Sequence, residues 1–121
     1  MKPESKYAAG VRGQKAAVAF LCAEGMQILQ ENYRIRSGEI DIIARDGNYI
    51  AFIEVKFRTG VGFGRPAEAV NHAKQQKIIH TALHYIAAKN LTEQDFRFDV
   101  VEVLQHDGTM YAKLIKDAFG A

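Results

Sequence analysis

Apolar and polar positions alternate most regularly in the middle of the chain. From Ile40 to Ala44 and from Ile50 to Phe57 they follow the two-residue period of a β-strand, and Asp46-Gly47-Asn48 between them is a tight-turn signal. The two runs read as a hairpin within residues 38–58. With the turn centred between Gly47 and Asn48, Ile40 faces Val55, Ile42 faces Ile53 and Ala44 faces Ala51, all apolar and all on one face. A slip of one residue would scramble these pairs. The other face then sets Asp41 opposite Glu54, with Glu39 opposite Lys56, and continues through Ile43, Ile50 and Phe52. Apolar side chains on both faces point to a sheet covered on both sides.

The flanking segments change period. Residues 6–24 read as a helix with Tyr7, Val11, Val18 and Leu21 as its apolar stripe, Gln14 on the same stripe, and Gly25 as the stop. Met26 to Ile35 reads as a strand carrying Ile28, Tyr33 and Ile35, with Arg34 and Arg36 alternating onto one face near its end. A glycine-rich stretch, Thr59 to Pro66, follows the hairpin. Residues 67–90 then predict a second helix that buries Ile79, Ala82, Leu83 and Ile86. Residues 96–105 alternate again, His106-Asp107-Gly108 turns the chain into Met110 to Ile115, and Phe119 in the tail is expected to dock on the body. Helix, three strands, helix, two strands predicts an α/β fold with a central mixed sheet of about five strands flanked by two long helices.

Composition narrows the class without naming a function. A chain of 121 residues, 48% hydrophobic and 25% charged, suits one globular domain over residues 1–121. The single cysteine, Cys22, excludes an internal disulfide and a cysteine-rich zinc site, and its helical run predicts a small core residue. No apolar run reaches membrane-spanning length and Met1-Lys2-Pro3-Glu4-Ser5-Lys6 is no signal peptide, so the expectation is a cytoplasmic protein with no membrane partner.

The candidate chemistry lies on the hairpin. Directly opposed Cβ atoms lie about 4.5–5.5 Å apart, so Asp41 and Glu54 converge. Two converging carboxylates repel unless a cation separates them, and Mg²⁺ characteristically takes one or two carboxylates, completing its octahedron with water and phosphate. With Lys56 alongside to position or deprotonate a water, Asp41, Glu54 and Lys56 form a candidate phosphodiester-cleaving centre. The same alternation also suits a solvated sheet face with cross-strand ion pairs; the apolar Ile43, Ile50 and Phe52 on that face weigh against it.

Charge placement extends the picture. Between residues 34 and 77, Arg34, Arg36, Arg45, Lys56, Arg58, Arg65, Lys74 and Lys77 stand against Glu39, Asp41, Asp46, Glu54 and Glu68. Neutralising Asp41 and Glu54 would leave this third of a chain of net charge +2 clearly positive, which suits a phosphate backbone. Arg34, Arg36, Arg58, Arg65, Lys74 and Lys77 are the candidate nucleic-acid contacts. Gln14, Glu39 and Gln76 are candidates for direct or supporting contacts to a cation. In the glycine-rich stretch Arg65 could contact phosphate and Phe63 could pack or stack, although a plain connection fits as well. The dinucleotide fingerprint fails there at Arg65 and no P-loop follows. His80 and His84 have the i, i+4 spacing of a helical metal pair but no evident third ligand. Asp99 reads as a residue that orients Arg97 or a helix terminus.

Four segments carry a resemblance that spans most of the chain: Gly38 to Ala44, Phe52 to Arg58, Phe63 to Val70, and Arg97 to Val101. They resemble the YraN-like family of small bacterial proteins, within the restriction-endonuclease-like PD-(D/E)XK nuclease superfamily, and are similar to archaeal Holliday-junction resolvases. The resemblance implies Mg²⁺ or Mn²⁺ held by Asp41, Glu54 and the Val55 carbonyl, with Lys56 as the catalytic lysine. It also implies a DNA substrate, branched or damaged, and a homodimer if two strands are cut. One departure bears on metal affinity. Where that family tends to carry an acidic residue after Gly-x-x-Gly, Gly10-Val11-Arg12-Gly13 leads into Gln14. A nuclease fold that binds nucleic acid without cleaving it is the alternative.

Overall fold

The computed structural model describes residues 3–60 and 70–120. Helix α1 (Lys6–Ala23) precedes strands β1 (Gln27–Ile35), β2 (Gly38–Asp46) and β3 (Tyr49–Thr59); helix α2 (His72–Ala88) precedes β4 (Asp95–His106) and β5 (Thr109–Phe119). The five strands form one mixed sheet in sequential order. Neighbours are antiparallel except β3 and β4, which run parallel because α2 carries the chain back between them. This is the α/β architecture that the pattern predicts.

Both faces of the sheet are covered. Ala17 and Leu21 of α1 pack with Ile42, Ala44, Ala51, Ile53, Val101 and Val103. On the other face Ile78, Ile79, Ala82 and Tyr85 of α2 pack with Ile40, Ile43, Ile50, Phe52, Phe98 and Val100. Each aliphatic side chain fully removed from water contributes about 1.5–3 kcal/mol.

The apolar stripe of α1 lies elsewhere than its large residues suggest. Its buried positions are Gly13, Ala17 and Leu21, whereas Tyr7 is 83% exposed and Cys22 is also exposed. Small residues make the contact because the helix sits close to the sheet: a Cβ on Gly13 would lie 3.0 Å from Phe57 Cβ. On α2, Leu83 is 58% exposed and Ile78, Thr81 and Tyr85 complete the buried face. Of the expected helix 67–90, residues 67–69 lie outside the described residues; the described helix starts at His72, where the Asn71 side chain caps it by accepting from Lys74 N at 2.9 Å.

The hairpin register is as predicted over five pairs, from Asp46 with Tyr49 to Ile42 with Ile53. Gly47 opens the turn with a φ of 60°. Beyond Ile42 the ladder between β2 and β3 stops, so the expected pairs Asp41–Glu54, Ile40–Val55 and Glu39–Lys56 do not form as ladder pairs. Asn32 on β1, across from Asp41, adopts a φ of 52°, and no β1–β2 pair forms there either. The irregularity reverses the alternation: Ile42 packs towards α1, and Ile40 packs towards α2. Ile40 and Val55 therefore do not share a face.

At the far end of the sheet, Arg97 donates through Nε and Nη2 to Asp99 at 2.8–3.0 Å and through Nη2 to Asp46 at 2.9 Å. Asp99 also accepts from Asp117 N at 2.9 Å where β5 bulges, so it orients Arg97 and ties down a strand. The tail prolongs β5, and Phe119 stacks on Phe98 with ring centroids 5.3 Å apart.

Candidate functional site

The fork where β2 leaves β3 brings the two central acids together. Asp41 Oδ2 accepts the Val55 N–H at 2.8 Å, taking the place of a ladder carbonyl. A strand residue in a hydrogen-bonded pair presents its N–H and C=O to the same neighbour, so the Val55 carbonyl also faces the fork. Glu54 is buried next to it, and Lys74 Nζ from the first turn of α2 lies 2.6 Å from Glu54 Oε1.

Burial first, then the nearby Asp41 carboxylate, pushes Glu54 up to about 7 in spite of the ammonium. Asp41 is also raised, chiefly by burial, with the Val55 N–H pulling the other way. Burial draws Lys74 down, but its hydrogen bond to Glu54 and the charges of Glu54 and Asp41 outweigh it, and the net direction is up. Two acids that resist ionisation together are acids short of positive charge.

Lys56 follows Glu54 by two residues and shares its face of β3. It is half-buried, and its side chain makes no hydrogen bond or ion pair among the described residues. Its register partner is Glu102 of β4, not Glu39. Glu39 pairs with Arg34 at 2.9 Å, and Gln76 is exposed on α2.

Gln14 reaches the fork from α1 through its amide nitrogen. Nε2 donates to Asn32 Oδ1 at 3.1 Å, Glu31 Oε1 at 3.2 Å and the Asp41 carbonyl at 3.4 Å. Three acceptors surround it, so here position 14 acts as a donor. Gln14, Arg34 and Asp41 line an open cleft of about 660 Å³ between α1 and the sheet, walled by Tyr7, Val11 and Phe57.

The candidate phosphate contacts scatter. Arg36 is exposed in the β1–β2 turn, beyond the strand, and Lys77 is exposed on α2. Arg58 turns inward: its Nη2 is 3.9 Å from Glu102 Oε1, and Nε and Nη2 are buried without a hydrogen-bond partner among the described residues. That orientation removes it from the exposed cations. Arg65, Phe63 and Glu68 lie outside the described residues. His84 Nδ1 is 2.7 Å from Tyr33 Oη, and no group of three or more His, Cys, Asp or Glu among the described residues could hold a metal.

Three features go further than the pattern predicts. Lys74 sits on Glu54, which needed the start of α2. Lys6 and Lys15 line the cleft beside Arg34. Glu102 is fully buried, and neither of its carboxylate oxygens has a hydrogen-bond partner among the described residues. Its signal was available, because Phe98, Val100, Glu102 and Leu104 fall at period two and only one of them is charged.

The donor set suits a small hard cation. Two carboxylates and a carbonyl meet at a place that already holds an ammonium, and one or two carboxylates are what Mg²⁺ takes from a protein. Fold and site together define a small α/β protein whose splayed central hairpin gathers a buried carboxylate, Glu54, and a half-buried one, Asp41, beside a positive charge. The chain belongs to the uncharacterised protein family UPF0102, whose model matches residues 13–103. It is 49% identical over 113 residues to a UPF0102 protein of Clostridium acetobutylicum, covering 92% of this chain and 93% of that one. A UPF0102 protein of Nocardia farcinica is 48% identical over 103 residues, covering 85% and 81%. One from Symbiobacterium thermophilum is 46% identical over 113 residues, covering 93% and 96%. No helix among the described residues is long and apolar enough to cross a membrane.

Proposed function

We propose that the chain is a Mg²⁺- or Mn²⁺-dependent endonuclease of the restriction-endonuclease-like PD-(D/E)XK type, acting on DNA, with branched or damaged DNA as the expected substrate. The observation that carries this is the meeting of Asp41 and Glu54 at the hairpin fork, with Lys56 on the same face as Glu54. The cation, when bound, lowers the pKa of an attacking water and offsets charge on the phosphate. Asp41, Glu54 and the Val55 carbonyl are the groups that would hold it. Lys56 orients the water or takes its proton, and Arg34, Lys74 and Lys77 hold phosphate oxygens.

Cleavage of branched and linear DNA by the purified protein, with Mn²⁺ and with chelator, tests the reading. It expects chelator-sensitive cutting that Asp41→Asn and Lys56→Ala abolish while DNA binding persists. Binding without cutting under every metal supports the second reading, a nucleic-acid-binding module with a nuclease fold. Gln14 favours that alternative, since it brings a donor to the fork where an acid would add a ligand. Cutting of both strands of a junction would further require a homodimer.

A further inference from the structure

We propose that Lys74 is the resident counter-ion of the Asp41–Glu54 site, displaced when a divalent cation binds and thereby released to take a substrate phosphate. The inference rests on the metal reading above and adds an exchange between two cations at one place. Three observations support it. Lys74 Nζ is 2.6 Å from Glu54 Oε1, one of the oxygens that would hold the cation, and its charge also acts on Asp41. The Lys74 side chain is 53% exposed, so its ammonium has an open path outward. Its main chain is fixed, because Asn71 caps the helix start on Lys74 N at 2.9 Å, while four methylenes leave the ammonium free to swing.

The exchange follows from charge. Without a divalent cation, Asp41 and Glu54 have no other ammonium or guanidinium in an ion pair with them among the described residues. A divalent cation brings two charges to the same carboxylates, and its repulsion of an ammonium 2.6 Å from Glu54 Oε1 drives the weaker-charged group outward. Once expelled, the ammonium remains beside the site, where a phosphate oxygen is the available acceptor. Metal binding and DNA binding are then linked through one side chain.

Mn²⁺ titration calorimetry near pH 8 on the wild-type protein and on Lys74→Met tests this directly, with Lys89→Met at the far end of α2 as the control. Lys74→Met is expected to bind Mn²⁺ on the order of tenfold more tightly, within the usual range of coupling between sites. Lys89→Met is expected to match wild type. Lys74→Gln, which keeps a donor for Glu54 but no charge, should show the same gain and guards against misfolding of the Met variant. In a Lys56→Ala background, where DNA stays intact, Lys74→Met should weaken DNA binding more with Mn²⁺ than with chelator. Equal or weaker Mn²⁺ affinity in both Lys74 variants overturns the exchange and leaves the metal reading standing. Absence of Mn²⁺ binding in all of the proteins removes both.

Discussion

Position 14 is surrounded by oxygen. Glu31, Asn32 and the Asp41 carbonyl all accept from the Gln14 amide, so a carboxylate there would meet three acceptors and bring no donor. Gln14→Glu is expected to destabilise the metal-free protein by about 1 kcal/mol, since one satisfied donor becomes a repelled charge. The same change adds a ligand, so Mn²⁺ should restore the loss. Thermal unfolding with and without Mn²⁺ reads both effects, and a loss that Mn²⁺ does not reverse would leave position 14 outside the cation site. Glu54 gives a second handle at this scale. Its folded value of about 7 lies above its ordinary 4.5, so between those values the folded protein holds a proton that the unfolded chain has released. Stability therefore falls as pH rises through that window, and the loss is complete above it. Glu54→Gln should flatten the dependence: between about pH 5 and about pH 8 the wild type loses more unfolding free energy than the variant, by on the order of 2 kcal/mol. Denaturant unfolding at both pH values checks it, and parallel profiles would contradict it.

The hairpin was legible where its turn and paired apolar residues constrained it, and illegible where a single residue broke the ladder. Five pairs follow from Gly47 and the alternation. Nothing in the alternation marks Asn32 as a left-handed residue, although asparagine tolerates that conformation better than most, and so the turnover of Ile40 to the α2 face was hidden. Alternation brings Asp41 and Glu54 near one another but does not make them a ladder pair: the Asp41 carboxylate itself replaces the missing backbone contact. On the helices, counting large apolar residues misplaced the stripe of α1, because glycine and alanine make the close approach. The placement of Gly38 yields a test at this scale. A Cβ there would collide with the buried Thr81 Oγ1 and lie 3.3 Å from the Lys77 carbonyl, so α2 packs directly on the start of β2. Gly38→Ala should cost about 1–3 kcal/mol of stability. Adding Thr81→Ala should recover part of it if the clash is the cause, which a double-mutant cycle of denaturant midpoints measures. Simple additivity would place the cost elsewhere.

Across the whole molecule, the sheet divides labour between its ends. Arg97, Asp99, Asp46 and Lys116 close one end into a network whose charges satisfy one another. The fork end gathers acids and leaves cations around them: Lys6, Lys15 and Arg34 on the α1 side, Lys74 and Lys77 on α2. A modest net charge of +2 thus hides a local excess, visible only once the acids are counted as neutralised. Electrostatic contact with DNA should be confined to the fork end. Removing one cation there, as in Lys15→Ala or Lys77→Ala, is expected to lower DNA affinity to a similar degree for unrelated sequences. It should also reduce the slope of log affinity against log salt by about one, the mark of a lost phosphate contact. Lys116→Ala, at the closed end, should leave that slope unchanged because its ammonium already faces Asp46 at 3.3 Å. Fluorescence anisotropy across a salt series makes the comparison, and equal slope changes at both ends would show that DNA does not meet the molecule through the fork.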